Sequence, residues 1–205
     1  MIPAASLKIL VIPGSLRTGS LNVRLAATIM AEFAEAGVKV RQISLADYPL
    51  PIYDGDLEAH SGVPAEAVRL KRMIGAHDGV VLVSPEYNSL PPPLLKNALD
   101  WVTRVNERGE PAGHVLRHRP FALASASEGR FGGARGLMML RLMLTGCRAM
   151  VIPEQLALSF ADQAYDERDR LKSGTDRDTL KALVRQLIDV AQQMRQYDEP
   201  EDPRP

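Results

Sequence analysis

The stretch "VIPGSLRTGSLNVRLA", residues 11–26, decides how the chain is read. An apolar run closes at Gly14; two serines, an arginine, a second glycine and an asparagine follow, and then an apolar spacing of helical period begins. Residues 7–13, LKILVIP, are a compact apolar run ended by Pro-Gly, the pattern of a strand buried on both faces. Leu21, Leu25, Ile29 and Phe33 recur every four residues and place one apolar stripe on a helix over 20–36, with Gly37 suited to end it. The polar cluster therefore sits where a strand hands over to a helix. A helix N-terminus carries unpaired N–H groups and a partial positive charge, which together make a ready anion site. Gly14 and Gly19 let the backbone curl round an anion. Ser15, Thr18 and Ser20 can donate O–H bonds, Asn22 can donate N–H bonds, and Arg17 adds a fixed charge able to pair bidentately. The set suits a terminal phosphate. It lacks both the Gly-Lys-Ser/Thr ending of a P-loop and the G-x-G-x-x-G of a dinucleotide fold. A plain strand–turn–helix capped by Ser20 would need neither the arginine nor the second glycine.

Outward from this stretch the pattern repeats. Strands are expected at 38–44, 79–84, 120–126 and 149–153, and helices at 64–76, 93–105, 133–147 and 176–197. Strands alternating with helices imply a parallel sheet covered on both faces. Five strands suit an α/β three-layer sandwich of strand order 2-1-3-4-5, whose ligands bind beyond the carboxyl ends of the strands, near the switch in strand order. A single domain over 1–205 is expected, with the Pro- and acid-rich residues 197–205 as a frayed tail.

That placement singles out two more loops. After 79–84 comes SPEYNSLPPPLLKNALDW, in which Pro85 and Pro91 to Pro93 stiffen the chain around Glu86, Tyr87 and Asn88: an acceptor, a flat ring and an amide. Such a loop can wall a planar heterocycle; alone, it is equally a proline-stiffened turn. After 120–126 comes SASEGRFGGARG, rich in Gly and Ser and again ahead of a helix.

The motifs GSLRTGSLN, PEYN…P…LKNALDW and SASEGRFGGARG, in this order over about residues 7–155, resemble the signatures of the NADPH-dependent FMN reductase family, which includes quinone, azo-dye and chromate reductases. The resemblance implies a flavodoxin-like fold holding FMN. It implies that Gly14, Ser15, Arg17, Ser20, Leu21 and Asn22 contact the phosphate end, that Pro85, Glu86, Tyr87 and Asn88 line the isoalloxazine ring, and that Ser127 and Gly129 make a third contact. It also implies hydride transfer from NADPH or NADH through FMN to a small electron acceptor, with no catalytic side chain, in a homodimer or homotetramer. The chain departs from relatives in having Ser89-Leu90 after Tyr-Asn, and in the run of three prolines.

Composition narrows the alternatives. Twenty-five basic and 25 acidic residues cancel and only 5% of residues are aromatic, so neither nucleic acid nor a charged membrane surface is an expected partner. Zero net charge also counts against an electron carrier that docks on protein partners through an acidic face. A flavin-binding redox regulator remains a third reading, though no feature demands it. No apolar stretch approaches the roughly 18 residues of a membrane span. The N-terminal residues place no basic stretch before their short apolar run, so no signal peptide is expected. One cysteine, Cys147, in an apolar segment, reads as a structural thiol of a reducing compartment, and a cytoplasmic location follows. His60, His77, His114 and His118 are scattered, and no metal site is expected. Asp47, Asp54, Asp56 and Glu58 read as solvated loop charges. The segment 44–63, about twenty residues long, reads as a lid in which Tyr48, Pro49, Pro51 and Tyr53 could border the pocket. The helix over 133–147 is apolar nearly all round, which points to self-association.

Overall fold

The computed structural model describes residues 7–107, 109–111 and 113–198. Five strands, β1 (Lys8–Pro13), β2 (Lys39–Gln42), β3 (Gly79–Val83), β4 (Pro120–Ala126) and β5 (Met150–Leu158), form one sheet of order β2-β1-β3-β4-β5. Every pairing in it is parallel. Helices α1 (Leu21–Glu35) and α7 (Gly174–Asp198) pack on one face. On the other face lie α3 (Ala65–Gly75), α4 (Pro93–Arg104) and α6 (Ala134–Gly146). Two short helices, α2 (Gly55–Ser61) and α5 (His114–Arg117), complete the set. This is the flavodoxin-like doubly wound arrangement. Of the tail expected to fray, 197–205, Tyr197 and Asp198 belong to α7 and the rest lies outside the described residues.

Period-two alternation assigns the strands to two cores. Ile9 and Val11 face α1 and α7, while Leu10 and Ile12 face the opposite layer; Val81 and Val83 divide from Val80 and Leu82 in the same way. The strands β3 and β4 are buried at every residue, as expected for central strands of a doubly covered sheet. Helix α1 has Ser20 as its N-cap, accepting from the Val23 N–H, and Gly37 follows in the left-handed region at φ 74°.

Three elements differ from the sequence expectation. The segment 44–63 is not one loop. It holds a 3₁₀ turn at Leu45–Asp47 and the helix α2, which Asp54 caps through the N–H groups of Asp56 and Leu57. The helix α2 buries no residue, so it leaves no apolar period in the sequence. Strand β5 continues to Leu158. Its register against β4 slips between Phe121 and Leu123, and the slip takes up Pro153 on an edge strand, where a missing N–H is tolerated. Finally, Tyr48 and Tyr53 serve packing: Tyr48 is buried in the core on the α3 side, and Tyr53 meets Trp101 edge-on at 5.0 Å.

Candidate functional site

The strand order reverses between β1 and β3, and the loops that follow β1, β3 and β4 meet at the carboxyl edge. The Gly14 N–H donates to the Val83 carbonyl (2.9 Å), tying the first loop to the end of β3. A Cβ at Gly14 would lie 3.2 Å from Leu95 and 3.4 Å from Pro85, so the first two loops touch at this glycine.

The first loop keeps its donors free. Ser15 and Ser20 are both buried, and each hydroxyl accepts one backbone N–H, from Arg17 (3.3 Å) and Val23 (3.4 Å). Their own protons reach no acceptor among the described residues. Neither do the N–H groups of Thr18, Gly19, Leu21 and Asn22 at the start of α1. The Arg17 guanidinium is exposed and makes no ion pair among the described residues. Ser15, Ser20 and Asn22 are buried while Thr18 and Gly19 are exposed, so the loop sets unpaired donors at the positive end of a helix, partly open to solvent, where an anion is favoured. The cleft it lines has a volume of about 790 Å³ and runs past Ser44 to Arg24 and Asp169. The Arg24 Nε donates to the Asp169 carboxylate (2.8 Å), and its guanidinium lies 3.9 Å from the Tyr165 ring centroid. Asp169 comes from the segment between β5 and α7, 145 residues away in the chain. No sequence signal links the two.

The Asn22 side chain bonds within the protein. At 4% exposure, its amide donates to the Ala126 carbonyl (2.9 Å), and its Oδ1 accepts from the Ala126 N–H (2.9 Å). The amide stitches the start of α1 to the end of β4 and so holds the first loop against the end of the sheet.

Glu86 is engaged within the protein in the same way. Its side chain is 10% exposed; one oxygen accepts from Arg135 (2.8 and 3.0 Å), and the other from the Gly136 N–H (2.9 Å). A carboxylate on the first turn of α6 offsets that helix's unpaired donors. Glu86 thus clamps the second loop to the third. Gly133 allows the approach: at φ 86°, a Cβ there would fall 1.9 Å from the Ser125 hydroxyl. That hydroxyl is buried and has no hydrogen-bond partner.

Pro85 is buried at the loop junction. Asn88 and Ser89 have φ values of 52° and 68°, and Tyr87 and Leu90 exchange both backbone hydrogen bonds (2.9 and 3.1 Å), forming a tight turn of type I′. Tyr87 and Leu90 consequently stand side by side, each 50% exposed. In the third loop, the Ser127 N–H donates to Leu158, and its hydroxyl accepts from the Gly129 N–H (3.2 Å).

The remaining candidates lie elsewhere. Glu58 accepts from Arg104 and from the Tyr53 hydroxyl, and the Arg104 hydrogen bond holds its carboxyl below the usual range. A cleft of about 440 Å³ beside the amino ends of β3 and β4 is lined by Lys71, Glu107, Glu110, His114 and His118, with Lys71 paired to both glutamates. Among the described residues, no three His, Cys, Asp or Glu side chains converge on a metal site. Cys147 is half-buried, and desolvation pushes its thiol up.

Fold and cleft together define a doubly wound α/β protein with an open cleft beside the switch point of its sheet. The model of the NADPH-dependent FMN reductase family matches residues 7–163, and the chain belongs to that family. The quinone reductase of Escherichia coli K12 is 38% identical over 147 residues, covering 71% of this chain and 73% of that one. The NAD(P)H-dependent FMN reductase of Pseudomonas aeruginosa is 33% identical over 189 residues, covering 91% and 94%. Among solved structures, the flavoenzyme NAD(P)H:(acceptor) oxidoreductase of Paracoccus denitrificans superimposes with a TM-score of 0.73 at 27% identity, over 92% of this chain and 98% of that one.

Proposed function

We propose that the chain holds FMN across the carboxyl ends of β1, β3 and β4 and uses it to pass electrons from NADPH or NADH to small acceptors of the quinone type. The observation that carries this reading is the first loop: buried serines with unspent protons, four N–H groups and an arginine, none of them paired among the described residues. That donor set fits a phosphate monoester, and FMN ends in one. Ser15, Arg17, Ser20 and the main chain of Leu21 and Asn22 take the phosphate, with Gly14 setting the loop against Pro85. Tyr87 and Asn88 in the second loop, and Ser127 and Gly129 in the third, border the ring, while Glu86 and Arg135 hold these loops together. Bound flavin supplies the two-electron chemistry; the chain supplies an ordered cradle and main-chain donors fixed in advance of the reaction. Quinone acceptors are supported by relatives named quinone reductase and by the 2-hydroxy-1,4-benzoquinone reductase of a Burkholderia species, 36% identical over 137 residues.

Mixing the FMN-loaded protein with NADPH without oxygen tests the reading. Rapid loss of the oxidised flavin absorbance, followed by its return on adding a quinone, is the expected result. Flavin that binds but does not bleach would leave an electron carrier or a regulator instead.

We further propose that the working form is a homodimer or homotetramer in the cytoplasm. Helix α6 buries Leu137, Leu140 and Leu144 but leaves Met138, Met139 and Leu142 exposed, Leu142 at 65%. Arg141 is turned away to the carbonyl of Ile152 (2.8 Å), so this outer face stays apolar. A second copy is the occupant that family membership favours.

A further inference from the structure

We infer that the rim formed by Arg130, Phe131 and Arg135 selects flat acceptors that carry a negative charge, with Arg130 supplying the unpaired cation. The inference rests on the reductase reading above and names the substrate class within it. Phe131 is 48% exposed on the third loop, and both guanidinium groups lie against its ring, Arg130 at 4.6 Å and Arg135 at 5.0 Å from the centroid. Contacts of this kind hold an arginine over an aromatic face. The two arginines differ in their counter-charge. Arg135 is balanced by Glu86. Arg130 has no ion pair among the described residues, and the nearby Glu128 makes none with it. Through Glu86, Arg135 joins this rim to the loop that presents Tyr87 and Leu90. An acceptor approaching the third loop therefore meets the exposed Phe131 ring and an Arg130 guanidinium that no carboxylate pairs among the described residues, with Tyr87 and Leu90 exposed on the loop beyond Glu86. Aromatic and aliphatic faces favour any flat ring. The charge distinguishes a quinone bearing an ionised hydroxyl, carboxylate or sulfonate from its neutral parent. In a chain of zero net charge, this preference is local.

The test compares the wild type with Arg130→Gln, Arg130→Lys and Phe131→Leu. Each FMN-loaded protein is photoreduced, so that the nicotinamide step is bypassed, and mixed without oxygen with 1,4-naphthoquinone or its 2-sulfonate. In Arg130→Gln, reoxidation by the sulfonate should slow about fivefold at low salt, while the neutral quinone changes little. Arg130→Lys should restore the sulfonate rate. In about 1 M salt, where charges are screened beyond about 3 Å, the contrast should vanish. Phe131→Leu should slow both quinones alike. The dissociation constant of the redox-inert 2-naphthalenesulfonate should rise in Arg130→Gln by a similar factor. Equal slowing of both quinones in Arg130→Gln, no slowing of either, or no rescue by lysine would overturn the inference. Because the flavin is reduced by light, failure of NADPH to bleach it would count against the reductase reading and leave this result standing.

Discussion

Arg17 and Asn22 flank one turn, and the structure separates their roles by where each side chain's hydrogen-bonding capacity goes. Both polar ends of Asn22 are committed to Ala126 inside the protein, whereas Arg17 faces solvent beside free donors. Arg17→Ala should therefore weaken FMN binding about 10-fold or more, the value of one charge-assisted contact, with the melting temperature of the flavin-free protein unchanged. Asn22→Ala should lower the stability of that flavin-free protein by about 2–4 kcal/mol, because it leaves a buried N–H and a buried carbonyl unpaired. Denaturant unfolding beside a flavin titration distinguishes the two; loss of flavin affinity without loss of stability in Asn22→Ala would contradict the assignment. The sequence shows that Asn22 and Glu86 can hydrogen-bond. It does not show that their side chains also bond within the protein, to partners 104 and 50 residues away.

At the scale of elements, strand and helix positions were legible because burial on both faces leaves unbroken apolar runs, as in GVVLV and PFALASA. Helix α2 was not legible, since a helix that buries nothing carries no period. The extension of β5 was hidden by Pro153, which reads as a stop but sits in a register slip at a sheet edge. Glycines repay the same physical treatment. Gly19 and Gly133 both have positive φ, but a Cβ at Gly19 would meet open space and one at Gly133 would meet the Ser125 hydroxyl. Gly19→Ala should cost about 1 kcal/mol of conformational strain, and Gly133→Ala about 3 kcal/mol or more, once displacement of a packed side chain is added. Thermal unfolding of the two variants checks the order. Equal losses would mean that the β4–α6 junction yields more readily than its packing indicates.

At the scale of the whole molecule, the topology places the cradle. A doubly wound sheet opens at its switch point, and the three loops named from the sequence are the three that meet there. The outer face of α6 is a second exposed surface, and an apolar one. In sedimentation at micromolar concentration the wild type should run as a dimer or tetramer, and Leu142→Glu should shift it toward monomer; a monomeric wild type would remove the assembly proposal. The central claim is that the loop after β1 grips the phosphate of FMN. Titrating the flavin-free protein with FMN and with riboflavin, which lacks only the phosphate, tests it most directly. The account predicts that FMN binds about 100-fold more tightly or better, as expected for several charge-assisted hydrogen bonds. Equal affinities for the two flavins would contradict it.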